Sequence, residues 1–250
     1  MIPYRDENSV ERTPVITFAI IGLNVVAWLL VQGAGSANPL AASVCNLGLI
    51  PGELTLRVEP GTGFEMGQGL VCAMDSGRQW SHVITSMFLH GSWMHIIFNM
   101  WFLWIFGNNV EDSMGRARFV AFYLLSGIGA AAAQVIASPS SPYPMVGASG
   151  AISGVMGAYV VLYPKVKVWT LVPLGFFITS IALPAWVMLG YWILLQVVSG
   201  VGGGEGGVAT FAHIGGFVVG AATIKAFARG DYIARRPAGH WAPQHQGWQR

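Results

Sequence analysis

The chain has 250 residues, 54% of them hydrophobic and only 10% charged, with 13 basic and 11 acidic side chains and a formal net charge of +2. Soluble domains carry roughly 25% charged residues, so this composition argues against a soluble globular protein. The basic residues form no run longer than the Arg235-Arg236 pair, which sets aside nucleic-acid binding.

The carboxylates are absent from residues 14–52, 119–163 and 168–204. Gaps of this length can each hold membrane spans of about 20 residues. The apolar blocks are long and continuous, unlike the alternating segments of about 10 residues expected of an outer-membrane barrel. The expected fold is therefore an all-α polytopic membrane protein. In chain order, residues 1–13 read as a cytosolic N-terminal segment, and 14–227 as one membrane domain with spans at 14–32, 93–108, 118–137, 147–163, 169–199 and 208–226. The fifth block is too long for one straight span and invites a break near Pro173 or Pro184. A large first extracytoplasmic loop covers residues 33–92, with residues 80–90 read as a short interfacial helix. Residues 228–250 read as a disordered cytosolic tail.

With the N-terminus inside, 11 of the 13 basic residues fall on the cytosolic side, leaving only Arg57 and Arg78 outside. That asymmetry places both termini in the cytosol. No organellar presequence is visible, which points to a bacterial plasma membrane. Cys45 and Cys72 both lie in the first loop, where an oxidising exterior permits a disulfide; two free thiols are the alternative.

Ionisable and strongly polar side chains inside spans are costly and are functional candidates by default. Here they are His95 and Asn99 in the second block, Ser149 opening the fourth and His213 opening the sixth, with Asn24 and Gln196 as further polar residues. His95 and Asn99 are four apart and share one helix face. They can serve a cavity, or simply glue the bundle by interhelical hydrogen bonds. A zinc site drawn from His82, His90 and His95 is disfavoured by spacing and by the lack of HExxH, so no metal and no cofactor is expected. Around Ser149, Gly147 and Gly150 allow close approach of another chain, and a helix N-terminus offers unpaired N–H groups. Gly150 and Gly154 in one span, and Ala212, Gly216 and Gly220 in another, recur every fourth residue, the pattern that lets helix backbones touch. Such contact would bring the Ser149 hydroxyl to the His213 ring, pairing a nucleophile with a base.

These residues resemble the rhomboid family of intramembrane serine proteases. The resemblance rests on Gly147-Ala148-Ser149-Gly150, on His213-Ile214-Gly215-Gly216, on His95-Ile96-Ile97-Phe98-Asn99 with His90 before it, and on Glu111-Asp112-Ser113-Met114-Gly115-Arg116. The family's Trp-Arg pair in the first loop is not matched by Arg78-Gln79-Trp80. The resemblance implies a six-span bundle in which Ser149 is the nucleophile and His213 the general base, without a carboxylate. His95, Asn99 and the Ser149 backbone would hold the oxyanion, and His90, Gly147, Gly150 and Gly216 would support them. It further implies single-span membrane proteins as substrates, cut within the lipid bilayer at a site opening to the outside. A catalytically silent rhomboid-like protein that binds membrane clients is one alternative, and a solute transporter another. The glycine-rich run 200–207 would suit a mobile cap over the site.

Overall fold

The apolar blocks wind into helices, since only internally bonded backbone is stable where water is scarce. The computed structural model describes residues 1–66, 70–175, 177–202 and 209–234. A first strand, β1 (Ile2–Asp6), precedes α1 (Val15–Val26), which runs on through a π-helical stretch, Ala27–Val31. The first loop then carries α2 (Ala37–Leu47), α3 (Pro51–Thr55), the strands β2 (Gly63–Glu65) and β3 (Val71–Ala73), and the short α4 (His82–Thr85). Next come α5 (Trp93–Phe102), a π-helical stretch Leu103–Gly107, and α6 (Asn108–Met114). Gly115, with φ +83°, makes the sharp turn into α7 (Arg116–Ala137). The remaining elements are α8 (Ser149–Leu162), β4 (Lys167–Leu174), β5 (Phe177–Pro184), α9 (Ala185–Val201), α10 (Thr210–Phe227) and α11 (Gly230–Ala234).

Two helices, α7 and α10, are long and apolar enough by themselves to cross a bilayer, while Val15–Val31, α8 and α9 are apolar but shorter. The second, π-interrupted run from α5 to α6 lies beside them. α8 is the axis of the bundle. Every one of its residues from Gly150 to Tyr159 is buried, as expected of a helix apolar all round. Phe106, Phe119, Phe122 and Tyr123 fill the space around it, together with its own Tyr159 and the Tyr163 that follows it. The outer faces are apolar too, with Leu30 80% and Leu194 56% exposed, an arrangement that suits a lipid solvent.

The structure departs from the all-α expectation. β1, β4 and β5 form an antiparallel three-stranded sheet in the order β1-β4-β5, and β2 pairs with β3. The block read as a fifth span from residue 169 is a β-hairpin as far as Pro184, and only α9 is helical. The reason lies in the residues: Val168, Thr170, Val172, Ile178, Thr179 and Ile181 favour extended backbone, Gly175 turns at φ +63°, and Pro184 starts a helix more readily than it continues one. The break falls at Pro184 and not at Pro173. Within the tail, residues 230–234 form α11 instead of disordered chain. Arg229 N–H bonds the Ser113 carbonyl at 2.9 Å, and the Tyr232 ring lies under the guanidinium groups of Arg12 and Arg229. The rest of the tail, 235–250, and residues 203–207 of the glycine-rich run lie outside the described residues.

Cys45 and Cys72 are joined by a disulfide that ties α2 to β3. At the other end of the bundle, buried Glu111 accepts the N–H groups of Ile16 at 3.0 Å and Thr17 at 2.8 Å, and the Thr17 hydroxyl at 2.8 Å. The first N–H groups of a helix lack intrahelical partners, so this carboxylate caps α1 from a neighbouring helix. Glu111→Ala orphans those donors and is expected to lower stability by about 1–3 kcal/mol, read as a fall in the unfolding midpoint in detergent.

Candidate active site

The site is built where α8 and α10 begin side by side. A methyl group placed on Gly216 would strike the Gly150 carbonyl, one on Gly220 the Gly154 carbonyl, and one on Gly157 the Phe217 carbonyl. The two backbones therefore touch along three successive turns. α7 closes on the same junction: a Cβ at Gly150 would sit 2.6 Å from Ala130 Cβ, and one at Gly216 would sit 3.4 Å from it. Gln134 of α7 accepts the Ala212 N–H at 3.2 Å, which fixes the start of α10.

This packing sets Ser149 Oγ 2.7 Å from His213 Nε2. The other ring nitrogen, Nδ1, lies 2.8 Å from Gln196 Oε1 of α9. Trp192, one turn earlier on α9, places its ring centroid 5.7 Å from that of His213. Ser149 also sits at the first position of α8, where its N–H has no intrahelical acceptor, while its carbonyl accepts the Ser153 hydroxyl at 2.6 Å.

His95 and Asn99 approach from α5. The Ser92 hydroxyl accepts the His95 N–H at 3.2 Å and caps the helix. Gly91 N–H donates to His95 Nδ1 at 3.3 Å, so the Nε2 side of the ring faces away toward Gly147. The chain passes that ring through Gly147, whose φ of +131° suits glycine; a Cβ there would lie 2.8 Å from His95 Nε2 and 3.4 Å from Ser149 Oγ. The Asn99 side chain donates one N–H to the His95 carbonyl at 2.8 Å, and its amide has a second N–H to offer. His90 is fully buried, its backbone clasped by Gln32 through bonds of 2.7 and 2.8 Å, and its ring packs edge-on to His95 at 5.1 Å.

These groups converge on a cleft of about 1200 Å³ lined by His95, Asn99, Ser149, His213, Trp192 and Met156 among others. No Asp, Glu, Lys or Arg is among the described residues that line it. A hydroxyl bonded to an imidazole, beside a helix N-terminus and an amide, can attack a carbonyl and hold the resulting oxyanion. Of the other polar residues in the apolar runs, Asn24 bonds back to the Ile20 carbonyl of its own helix and does not line the cleft. Gln196, by contrast, stands against His213.

A model of the rhomboid domain matches residues 77–230, more than half of the chain. The chain belongs to the rhomboid family. It is thus a polytopic helical membrane protein. It is 33% identical over 142 residues to the rhomboid protease GluP of Bacillus subtilis, covering 57% of this chain and 25% of that protein. It is 32% identical over 143 residues to rhomboid-like protease 5 of Toxoplasma gondii, covering 55% and 15%. To the mitochondrial RHOMBOID-like protein 6 of Arabidopsis thaliana it is 31% identical over 170 residues, covering 66% and 47%. The chain spans less than two thirds of the length of each of these relatives.

The backbone contact between α8 and α10 is the feature on which the site's geometry depends. Gly216→Val forces α10 off α8 and is expected to cost about 1–3 kcal/mol or more by overpacking. Gly190→Ala, where nothing lies within 4 Å of the added carbon, is expected to be neutral or slightly stabilising. Thermal unfolding of the two variants in one detergent checks the contrast.

Proposed function

We propose that this rhomboid is an intramembrane serine endopeptidase that hydrolyses peptide bonds in or next to the transmembrane segments of membrane proteins. The observation that carries this reading is the 2.7 Å approach of Ser149 Oγ to His213 Nε2 in a cleft lined by donors. Several matched relatives are named as rhomboid proteases, which supports the same reading.

In the proposed reaction His213 Nε2 takes the Ser149 proton as Oγ adds to the scissile carbonyl. The tetrahedral oxyanion is held by the Ser149 N–H, the free Asn99 N–H and His95. His213 then gives its proton to the leaving amine, and the acyl-enzyme is hydrolysed by water through the same base. The metal-free chemistry needs no carboxylate third member.

Six helical runs would cross the bilayer: Val15–Val31, α5 through α6, α7, α8, α9 and α10, within a catalytic domain of residues 14–227. With both termini cytosolic, the N-terminal ends of α8 and α10 face outward, and so does the cleft. Single-span proteins are the proposed substrates. A regular helix keeps its carbonyls bonded within itself, so the cleaved segment must unwind locally to present one to Ser149.

Purified protein in proteoliposomes is expected to cut a single-span reporter, and both Ser149→Ala and His213→Ala to abolish the cut. Asn99→Ala and His95→Ala are expected to retain a measurable remnant, with turnover down about 10²- to 10³-fold, the usual cost of one oxyanion donor. Full activity in Asn99→Ala would remove that residue from the oxyanion role. Cleavage that persists in Ser149→Ala would end the serine mechanism.

A further inference from the structure

α9 meets the Ser149–His213 pair at two points one helical turn apart, through the Trp192 ring and the Gln196 amide. The amide oxygen of Gln196 accepts hydrogen bonds and donates none. Its 2.8 Å approach to His213 Nδ1 therefore requires the ring proton on Nδ1. The lone pair is then on Nε2, the atom 2.7 Å from the Ser149 hydroxyl. With the opposite tautomer, Nδ1 and Oε1 would face each other as two acceptors, and Ser149 would lose the base that takes its proton. The cleft's described lining supplies no carboxylate to do this job, and its ionisable side chains besides His213 are His95 and Tyr143.

We infer that Gln196 is the positioning residue of the pair, fixing the tautomer and ring rotation of His213 from α9. This inference rests on the proposed serine mechanism. It also makes catalysis depend on where α9 stands. That helix is held at its start by the Ala185 and Trp186 N–H groups on the Val166 and Pro164 carbonyls. Its second half exposes Leu194, Val198 and Val201, and its last turn meets the start of α10 where Gly200 lies against Thr210 and Phe211.

The test compares Gln196→Met, Gln196→Ala and Gln196→Glu with the unaltered protein, using reporter cleavage in proteoliposomes across pH and the rate of labelling by a fluorophosphonate. Met keeps the bulk but offers no amide oxygen. Both Met and Ala variants are expected to lose about 10- to 100-fold in kcat with KM changed less than threefold, as for a misoriented general base. Glu restores an acceptor and adds a charge that favours the imidazolium. It is expected to recover activity above the Met variant and to move the acid limb of the pH profile upward by about one unit. Wild-type kinetics in the Met variant would overturn the inference. So would a Glu variant as impaired as Met with an unmoved acid limb, since that pattern marks packing alone, and so would a failure of all three variants to fold. Absence of labelling and cleavage in the unaltered protein would instead sink the serine mechanism itself, so the two failures are distinguishable.

Discussion

The approach of two helix backbones to the point where Cβ atoms cannot intervene is the constraint from which the rest of the site follows. Between α8 and α10, glycine faces carbonyl at successive turns. In a bilayer there is no hydrophobic drive to press helices together, and association depends on van der Waals contact and hydrogen bonds. Small residues supply that contact by shortening the interaxial distance. The same shortening lets a serine, with its short side chain, reach an imidazole on the neighbouring helix. Packing and chemistry here are one geometric fact.

Other elements are arranged around this pair at increasing distance. Gly147 lets the incoming chain pass between His95 and Ser149, so that the donors and the hydroxyl face a common space. Buried Gln32 clasps the backbone of His90, whose ring packs edge-on against that of His95. At the opposite end, Glu111 binds the start of α1, and Asp6 bonds Tyr159 and Asn109, tying the sheet to the bundle. Polar side chains are thus gathered at two levels, one at the cleft and one at the far end of the same helices. Between them lies an aromatic core. The cleft itself is reached from α5 on one side and α9 on the other, and α9 also touches the His213 ring.

Much of this was legible in the residues. The four-residue spacing of Gly150, Gly154, Gly216 and Gly220 marks two helices able to touch, and a serine and a histidine at the matching ends of those helices can be inferred to meet. The hairpin Lys167–Pro184 was not legible, because a long uncharged run satisfies helix and strand alike by hydrophobicity. Its β-branched residues and Gly175 were the available signal, and they were outweighed by block length. The direction of the Asn99 amide, which bonds back to the His95 carbonyl, depends on side-chain rotation that no spacing encodes. Gln196 stood out as a polar residue in an apolar run. Its partner did not, since α9 carries no seam of small residues to reveal which helix it packs against.

On the proposed mechanism, Ser149 is made nucleophilic by the imidazole held against it. Peptide mapping by mass spectrometry after exposure to a fluorophosphonate tests it most directly. A single adduct is expected on the peptide containing Ser149, lost when His213 is replaced by Ala in a protein that still unfolds at its normal midpoint. An adduct on another residue, or one that forms at an undiminished rate without His213, would contradict it.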